Sequence, residues 1–310
     1  MPSHVLPESY VIHLTPFIIP ENYTIEGHVD IVVNVNENAD NIVLHIKDIV
    51  IYENLVSVHD EKSGEKIQIK GHAYDKEREF YIIKVNVQAG HRYKVSIGFS
   101  AKLNNDLAGF YRSTYYDSEK NVTKVIGTSQ MEATDARRAV PCFDEPAMKA
   151  TFQINLGRIS QISLLVISIL FKDIFTNMNI TKKFLGRLKS MTSISNMPIE
   201  KEGVEMPDTS EYVWDIYKDS LKMSTYLLAF IVSDFKFRDG FDTGNGVKFR
   251  IWSRNEALAS TKYAADIGPK VLSFYEKYFN VKFPLPKQDM IALPDFSAGA
   301  MENWGAITYR

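Results

Sequence analysis

Between Ile25 and Val35 the odd positions are Ile25, Gly27, Val29, Ile31, Val33 and Val35, while the even ones are mostly polar, with Glu26, His28, Asp30 and Asn34. Successive side chains of a strand point to opposite faces, so this period of two calls for a β-strand with one face turned inward. Tyr93, Val95, Ile97 and Phe99 alternate in the same way with Arg92, Lys94, Ser96 and Gly98. Residues 80–87 are also strand-like, and Gln88-Ala89-Gly90-His91 between the two runs has the length of a hairpin connection. Further strands fit 42–46, 151–156 and 226–237. Many strands with no helix between them predict a mainly β fold, an antiparallel sandwich or saddle-shaped sheet.

The pattern changes near Gly240. Residues 239–246 are turn-rich and poor in apolar side chains, as a domain boundary would be. One more strand, 247–252, is followed by Ile267, Val271, Leu272, Tyr275, Tyr278 and Phe279 at helical spacings of three and four. Pro269 either kinks this helix or marks its start, and Pro284 and Pro286 end it. A short apolar strand at 290–293 and the small residues Ser297, Ala298, Gly299 and Ala300 complete the chain's last part. The length of 310 residues suggests about two domains at roughly 150 residues each. The expected division is a β domain over 1–240 and a second domain over 241–310.

A net charge of -2 gives no broad electrostatic reason to bind nucleic acid. The single cysteine, Cys142, excludes an intrachain disulfide, and no histidine lies near it in sequence to make it a nucleophile. The N-terminus lacks the basic and apolar regions of a signal peptide, and the first strand begins almost at once, so no anchor is expected in this chain. The apolar run 162–171 is too short for a membrane-spanning helix, which needs about 20 residues. Three N-x-S/T sequons, at Asn22, Asn121 and Asn179, are weakly consistent with an extracellular surface. One stretch does not match its neighbours: Leu156-Gly157-Arg158 recurs as Leu185-Gly186-Arg187, and the residues between them mix an apolar run with basic ones. It reads as an insertion, 159–187, or as a sequence artefact; a coincidental tripeptide in a long surface excursion is the alternative.

Gly299-Ala300-Met301-Glu302-Asn303 places a carboxylate on a segment with little side-chain bulk. Such a strand edge lets an extended peptide pair with it, and Glu302 would then meet a positive group at the peptide's end. These five residues alone fit a surface Glu in a Gly-containing loop as well. The wider context decides between the two. Ala298 to Gly305 resembles the exopeptidase signature of the aminopeptidase N family of zinc metallopeptidases, of the gluzincin type. Upstream, Gln130-Met131-Glu132-Ala133-Thr134-Asp135-Ala136-Arg137-Arg138 and Pro141-Cys142-Phe143-Asp144-Glu145-Pro146 also resemble that family, in the same order along the chain.

The resemblance implies a β-sandwich N-terminal domain followed by the truncated start, strands plus one helix, of a thermolysin-like α+β catalytic domain. It also implies roles. Glu302 binds the free α-ammonium of a peptide with Glu132 as second carboxylate, Gln130 lines the pocket for the first side chain, and Gly299 and Ala300 hydrogen-bond the peptide backbone. Met301 and Asn303 complete the substrate-binding motif, while Asp144, Glu145 and Pro146 fix a turn. Two acids that converge repel one another, and a bound cation relieves that repulsion, so a blocked or internal peptide is rejected.

The family cleaves with zinc held by H-E-x-x-H and a later Glu. The histidines here are His4, His13, His28, His45, His59, His72 and His91, none in that motif and none after residue 91. The expectation is therefore the N-terminal part of a zinc aminopeptidase that carries peptide recognition, has no catalytic residue of its own, binds no zinc specifically and is inactive alone. A non-catalytic peptide-binding or scaffold protein of the same family is the alternative. The family implies a cell-surface or extracellular location, with the cytoplasm as alternative; oligomeric state stays open.

Overall fold

The computed structural model describes residues 1–19, 22–160, 191–207 and 209–310. Apart from residues 159 and 160, the stretch read as an insertion lies outside the described residues, as do Asn179 and the apolar run 162–171. Two compact units emerge, interleaved along the chain. The first comprises Met1–Arg112, Thr128–Leu156 and Tyr217–Leu228; the second comprises Ser113–Gly127, Gly157–Ile216 and Ala229–Arg310.

The first unit contains two sheets. In the larger sheet, β1 (Val5–Ile19) and β2 (Asn22–Val35) form a long antiparallel pair, and β9 (Arg92–Lys102) follows on β2. Strands β4 (Ile49–Ile51) and β5 (Ser57–Asp60) pair with β9, and β6 (Lys66–Ile67) pairs with β5. On the other side of β1, Thr151–Leu156 of β12 (Thr151–Ile159) runs parallel to it, an exception to the antiparallel rule. The smaller sheet has the order β3 (Ala39–His45), β8 (Phe80–Val87), β7 (Gly71–Asp75). The connection at 88–91 thus joins strands of two different sheets, not the two arms of a hairpin. Its Gly90 N–H donates to the Val35 carbonyl at 2.8 Å, which ties the crossing to the end of β2.

The registers turn the period-two pattern into transverse rows. Ile154, Ile12, Val29 and Ile97 form one row, and Phe152, Tyr10, Ile31, Val95 and Val58 form the next. All nine side chains are buried. Tyr10 and Phe152 stack with ring centroids 4.8 Å apart. A third row, Leu156, Leu14, Gly27, Phe99 and Ile51, contains a glycine where its neighbours carry large side chains. The cause is Phe99: its ring lies so close over Gly27 that a β-carbon there would sit 2.3 Å from the nearest ring atom.

The second unit contains a five-stranded mixed sheet, in the order β17 (Lys236–Asp239), β18 (Lys248–Ser253), β19 (Lys287–Ala292), β21 (Ala306–Tyr309), β20 (Ala300–Met301). Parallel β18 and β19 are joined by helix α1 (Lys262–Phe279), as a parallel pair requires a crossover. It also contains β13 (Thr192–Ser195) and β16 (Phe230–Ser233), which pair antiparallel, and the strands β14 (Ile199–Met206) and β15 (Thr209–Tyr217). Together with the first unit this is a mainly β chain, with one α-helix among the described residues.

Two local expectations change. The strand predicted over 226–237 is a 3-10 turn at Thr225–Leu227, then β16, then β17. The break falls at Asp234, whose carboxylate pairs with Lys124 and Tyr115, and at buried Phe235. The helix begins before Pro269, at Lys262, and neither stops nor starts at the proline. Proline has no N–H to give the Ala265 carbonyl, and the Phe241 N–H takes its place at 2.8 Å. The buried side of α1 is formed by small and aliphatic residues. Ala264, Ala265 and Leu272 pack with Phe249, Ile251 and Met290, and small side chains let the helix lie close on the sheet. Tyr275, Tyr278 and Phe279 are exposed.

Gly27→Ala forces a methyl group into the Phe99 ring, and overpacking of this kind costs about 1–3 kcal/mol. Urea unfolding should show that loss, and Phe99→Leu in the same chain should recover part of it because the shorter side chain leaves space above residue 27.

Candidate functional site

Residues 299–303 contain and flank β20, the edge strand of the five-stranded sheet. β20 pairs with β21 on one side only, Ala300 opposite Tyr309 and Met301 opposite Thr308, and among the described residues its other edge has no strand partner. The pairing is extended by the Arg310 N–H, which donates to the Gly299 carbonyl at 3.2 Å. From Ala300 to Asn303 exposed and buried residues alternate. Gly299, Ala300 and Glu302 are exposed, whereas Met301 and Asn303 are each 1% exposed. No atom lies within 4 Å of where a β-carbon of Gly299 would be. The outer edge therefore offers bare backbone beside a solvent-facing carboxylate.

A turn holds Glu302 in place. The Ala306 N–H donates to the Asn303 carbonyl at 2.9 Å, closing Asn303-Trp304-Gly305-Ala306. Gly305 takes φ +82°, as the third residue of a type II turn must. The Asn196 carbonyl oxygen lies 2.3 Å from where a β-carbon of residue 305 would stand, so glycine is required twice over. The Asn196 side chain spans the gap, donating to the Trp304 carbonyl at 2.9 Å and accepting from the Ala229 N–H at 2.9 Å. Asn303 donates to the Thr308 hydroxyl at 3.2 Å, and its own Oδ1 is buried with no hydrogen-bond partner among the described residues.

Beneath the turn lies a buried charge cluster that sequence reading missed. Lys287 Nζ donates to the Gly305 carbonyl at 2.8 Å and to the Ser195 carbonyl at 2.6 Å, and pairs with Asp289 at 2.6 Å. Asp289 also accepts both prongs of the Arg250 guanidinium, at 2.7 and 2.8 Å, and the Trp252 indole N–H at 3.0 Å. Burial pushes Lys287 below the ordinary lysine range, with Asp289 opposing it. Burial pushes the Asp289 carboxyl up, but Lys287 and Arg250 outweigh it and hold Asp289 below its ordinary value. The expected strand at 290–293 begins instead at Lys287, because these charges sit inside the sheet. The available signal was the period of two itself: Lys287, Asp289 and Ile291 share one face of a strand.

The upstream motif belongs to the first unit. Gln130 ends β11 (Val122–Gln130), with its side chain buried, and Glu132 is exposed. The two are neighbours, the Gln130 amide donating to the Glu132 carbonyl at 3.4 Å, while Gln130 Oε1 is buried with no hydrogen-bond partner among the described residues. The following residues are fixed by Arg137 and Asp144. Arg137 donates through Nε to Asp144 Oδ2 at 2.9 Å, through Nη2 to the Asp144 carbonyl at 3.2 Å and through Nη1 to Glu79 at 2.8 Å. The second Asp144 oxygen accepts from the Thr225 hydroxyl at 2.7 Å, and the Asp144 N–H donates to His45 Nδ1 at 3.2 Å. That last bond needs a neutral His45. Burial, reinforced by Arg137, lowers its pKa to about 4. Cys142 is buried, and burial pushes its thiol well up, as suits a packing residue.

Two other histidines are engaged in local contacts: His72 stacks on Tyr81, and His91 lies 2.8 Å from Asp60. Among the described residues no group of three or more His, Cys, Asp or Glu side chains is arranged to hold a metal ion.

The model of the Peptidase M1 N-terminal domain matches residues 6–168, and that of the Peptidase family M1 domain matches residues 263–310. Aminopeptidase N of Bos taurus is 36% identical over 330 aligned positions, covering 100% of this chain and 30% of the relative. Aminopeptidase Ey of Gallus gallus and aminopeptidase N of Haemonchus contortus are each 36% identical, again over 100% of this chain and 30% and 29% of the relatives. The chain thus spans about 30% of the length of these proteins.

His45 gives the first unit a specific acid sensitivity. Its folded pKa lies below the ordinary 6.5, so the unfolded chain binds the proton first. The stabilising contribution is complete above about pH 6.5 and is lost as pH falls toward about 4. Urea midpoints measured across that window should fall with acidification, and His45→Gln should flatten the slope. His13, which burial also lowers, leaves a residual slope of the same sign.

Proposed function

The chain belongs to peptidase family M1, and on that premise we propose that it is the substrate-recognising N-terminal part of a zinc-dependent aminopeptidase. The observation that carries this reading is the open edge of β20 next to exposed Glu302. An extended peptide adds to such an edge through main-chain hydrogen bonds. Its first residue then brings the α-ammonium to Glu302, where a charge-assisted hydrogen bond forms. Gly299 and Ala300 supply the backbone and, having little bulk, admit any side chain at the paired positions. Met301 and Asn303 complete the motif from the buried side. We assign Glu132 as the second carboxylate for the amine and Gln130 to the first-side-chain pocket, as the family motif implies. Residues 1–240 correspond in this reading to the β domain and 241–310 to the opening of the catalytic domain.

Zinc supplies the family's hydrolytic chemistry by activating water for attack on the first peptide bond. The part of the reaction we assign to this chain is recognition, on the open β20 edge and exposed Glu302. Its substrates are peptides with a free N-terminus. A cell-surface or extracellular setting is consistent with the exposed sequon residues Asn22 and Asn121. Among the described residues no helix is long and apolar enough to cross a membrane.

Titration calorimetry of the 310-residue chain should show a free tetrapeptide binding roughly ten-fold more tightly than its N-acetylated form, about 1.4 kcal/mol. Glu302→Ala should remove that difference while leaving binding of the acetylated form unchanged; equal binding of both peptides by the unaltered chain would sink the reading. In a separate assay, the purified chain should release no N-terminal residue from peptides. Chelator-sensitive release would show that it carries a catalytic zinc site after all.

A further inference from the structure

Lys287 is a charged side chain with 2% exposure, and its three ammonium donors meet three acceptors on three separate segments. These are the Ser195 carbonyl at the end of β13, the Gly305 carbonyl in the turn between β20 and β21, and Asp289 on its own strand. An apolar residue of similar volume would fill the space without the cost of burying a charge. It would also leave two buried carbonyls without this donor. The network is therefore more than a way of filling the core: it holds one particular turn against one particular strand end.

The geometry points to Lys287 as the positioning residue for peptide recognition: its ammonium, anchored by Asp289, locks the Trp304–Gly305 turn and so sets the register in which Glu302 and the open edge at Gly299–Ala300 meet a peptide. This inference rests on the reading of 299–303 as the clamp for a peptide N-terminus. Lys287 itself touches no substrate. It acts at one end of a short lever, because Gly305 lies three residues from Glu302 and the turn closes through the Asn303 carbonyl. Asn196 grips the same turn from the other side through the Trp304 carbonyl, so the turn is held at two successive peptide groups. Asp289 is in turn fixed by the two-pronged contact from Arg250, which leaves the ammonium a single place to sit.

The test compares the full 310-residue chain with Lys287→Met by amide hydrogen exchange and by titration with a free and an N-acetylated tetrapeptide. The amides of Ala306 and Arg310, which close the turn and the β20–β21 pair, should exchange at least ten-fold faster (about 1.4 kcal/mol of local opening). The amides of the β1–β2 pair should keep their rates. The preference for the free over the acetylated peptide should fall several-fold, a change that general loosening of the fold would not produce. Unchanged local exchange and an unchanged preference in a folded Lys287→Met chain would overturn the proposal. Should that variant not fold, Asn196→Ala keeps the charge cluster and removes the second grip on the turn, along with the acceptor for the Ala229 N–H. Faster exchange at Ala306 and Arg310 together with a reduced preference in Asn196→Ala supports the proposal, and no change in either overturns it. An unaltered chain that binds both peptides equally sinks the recognition reading, and with it the role given to Lys287, even where exchange shows the turn to be locked.

Discussion

Asp289 has no exposed surface and is a carboxylate. Such a group is tolerable only when opposite charge and hydrogen bonds replace the water it has lost. Here two cations and an indole N–H do so. The need to satisfy this one group dictates much around it. Arg250 stands directly opposite Asp289 in the parallel pairing of β18 and β19, so a slip of one residue would separate the charges. Lys287, once neutralised by Asp289, has two donors left, and these reach the Gly305 and Ser195 carbonyls. A charge cluster that costs desolvation thereby specifies a register, a turn and the placement of an exposed edge.

The first unit uses the same logic at Asp144. Its two carboxylate oxygens are divided between Arg137 and Thr225, its carbonyl accepts from Arg137 again, and its N–H donates to His45. Glu79, shared between Lys47 and Arg137, extends the network to the surface; burial alone would raise its carboxyl, but the two cations hold it below its ordinary value. The segment that follows Gln130 and Glu132 is thus fastened through groups distant in sequence. In both units, the exposed residues Glu132 and Glu302 lie close in sequence to backbone that buried ionic groups hydrogen-bond.

Much of the fold was legible. The alternation at 25–35 and 93–99 corresponds to β2 and β9, and the buried rows Ile12–Val29–Ile97 and Tyr10–Ile31–Val95 follow from it. The family was legible because Gly299 to Asn303 and the segment from Gln130 to Pro146 are specific as a pair. Other features were hidden for identifiable reasons. The connection at 88–91 looks like a hairpin loop by length, but strand alternation does not tell which of two sheets the next strand joins. The helix carries Pro269 because the Phe241 N–H stands in for the missing donor, and nothing near Pro269 in the sequence announces that. The aromatic stripe of α1 has the right spacing for a core, yet the close approach to Phe249 and Ile251 selects the side with alanines.

The sequence by itself determined the local periodicities, the turn residues and the identity of the family motif, since these depend on neighbours within a few positions. Only the tertiary structure decided which charges are buried together and which strand is left at an edge. Lys287 and Asp289 lie just before the strand expected at 290–293, and parallel pairing sets Asp289 against Arg250 while the Gly305 carbonyl meets the Lys287 ammonium. That outcome depends on strand order and register across long stretches of chain. Backbone pairing and burial settle those jointly, and no local pattern of residues records them.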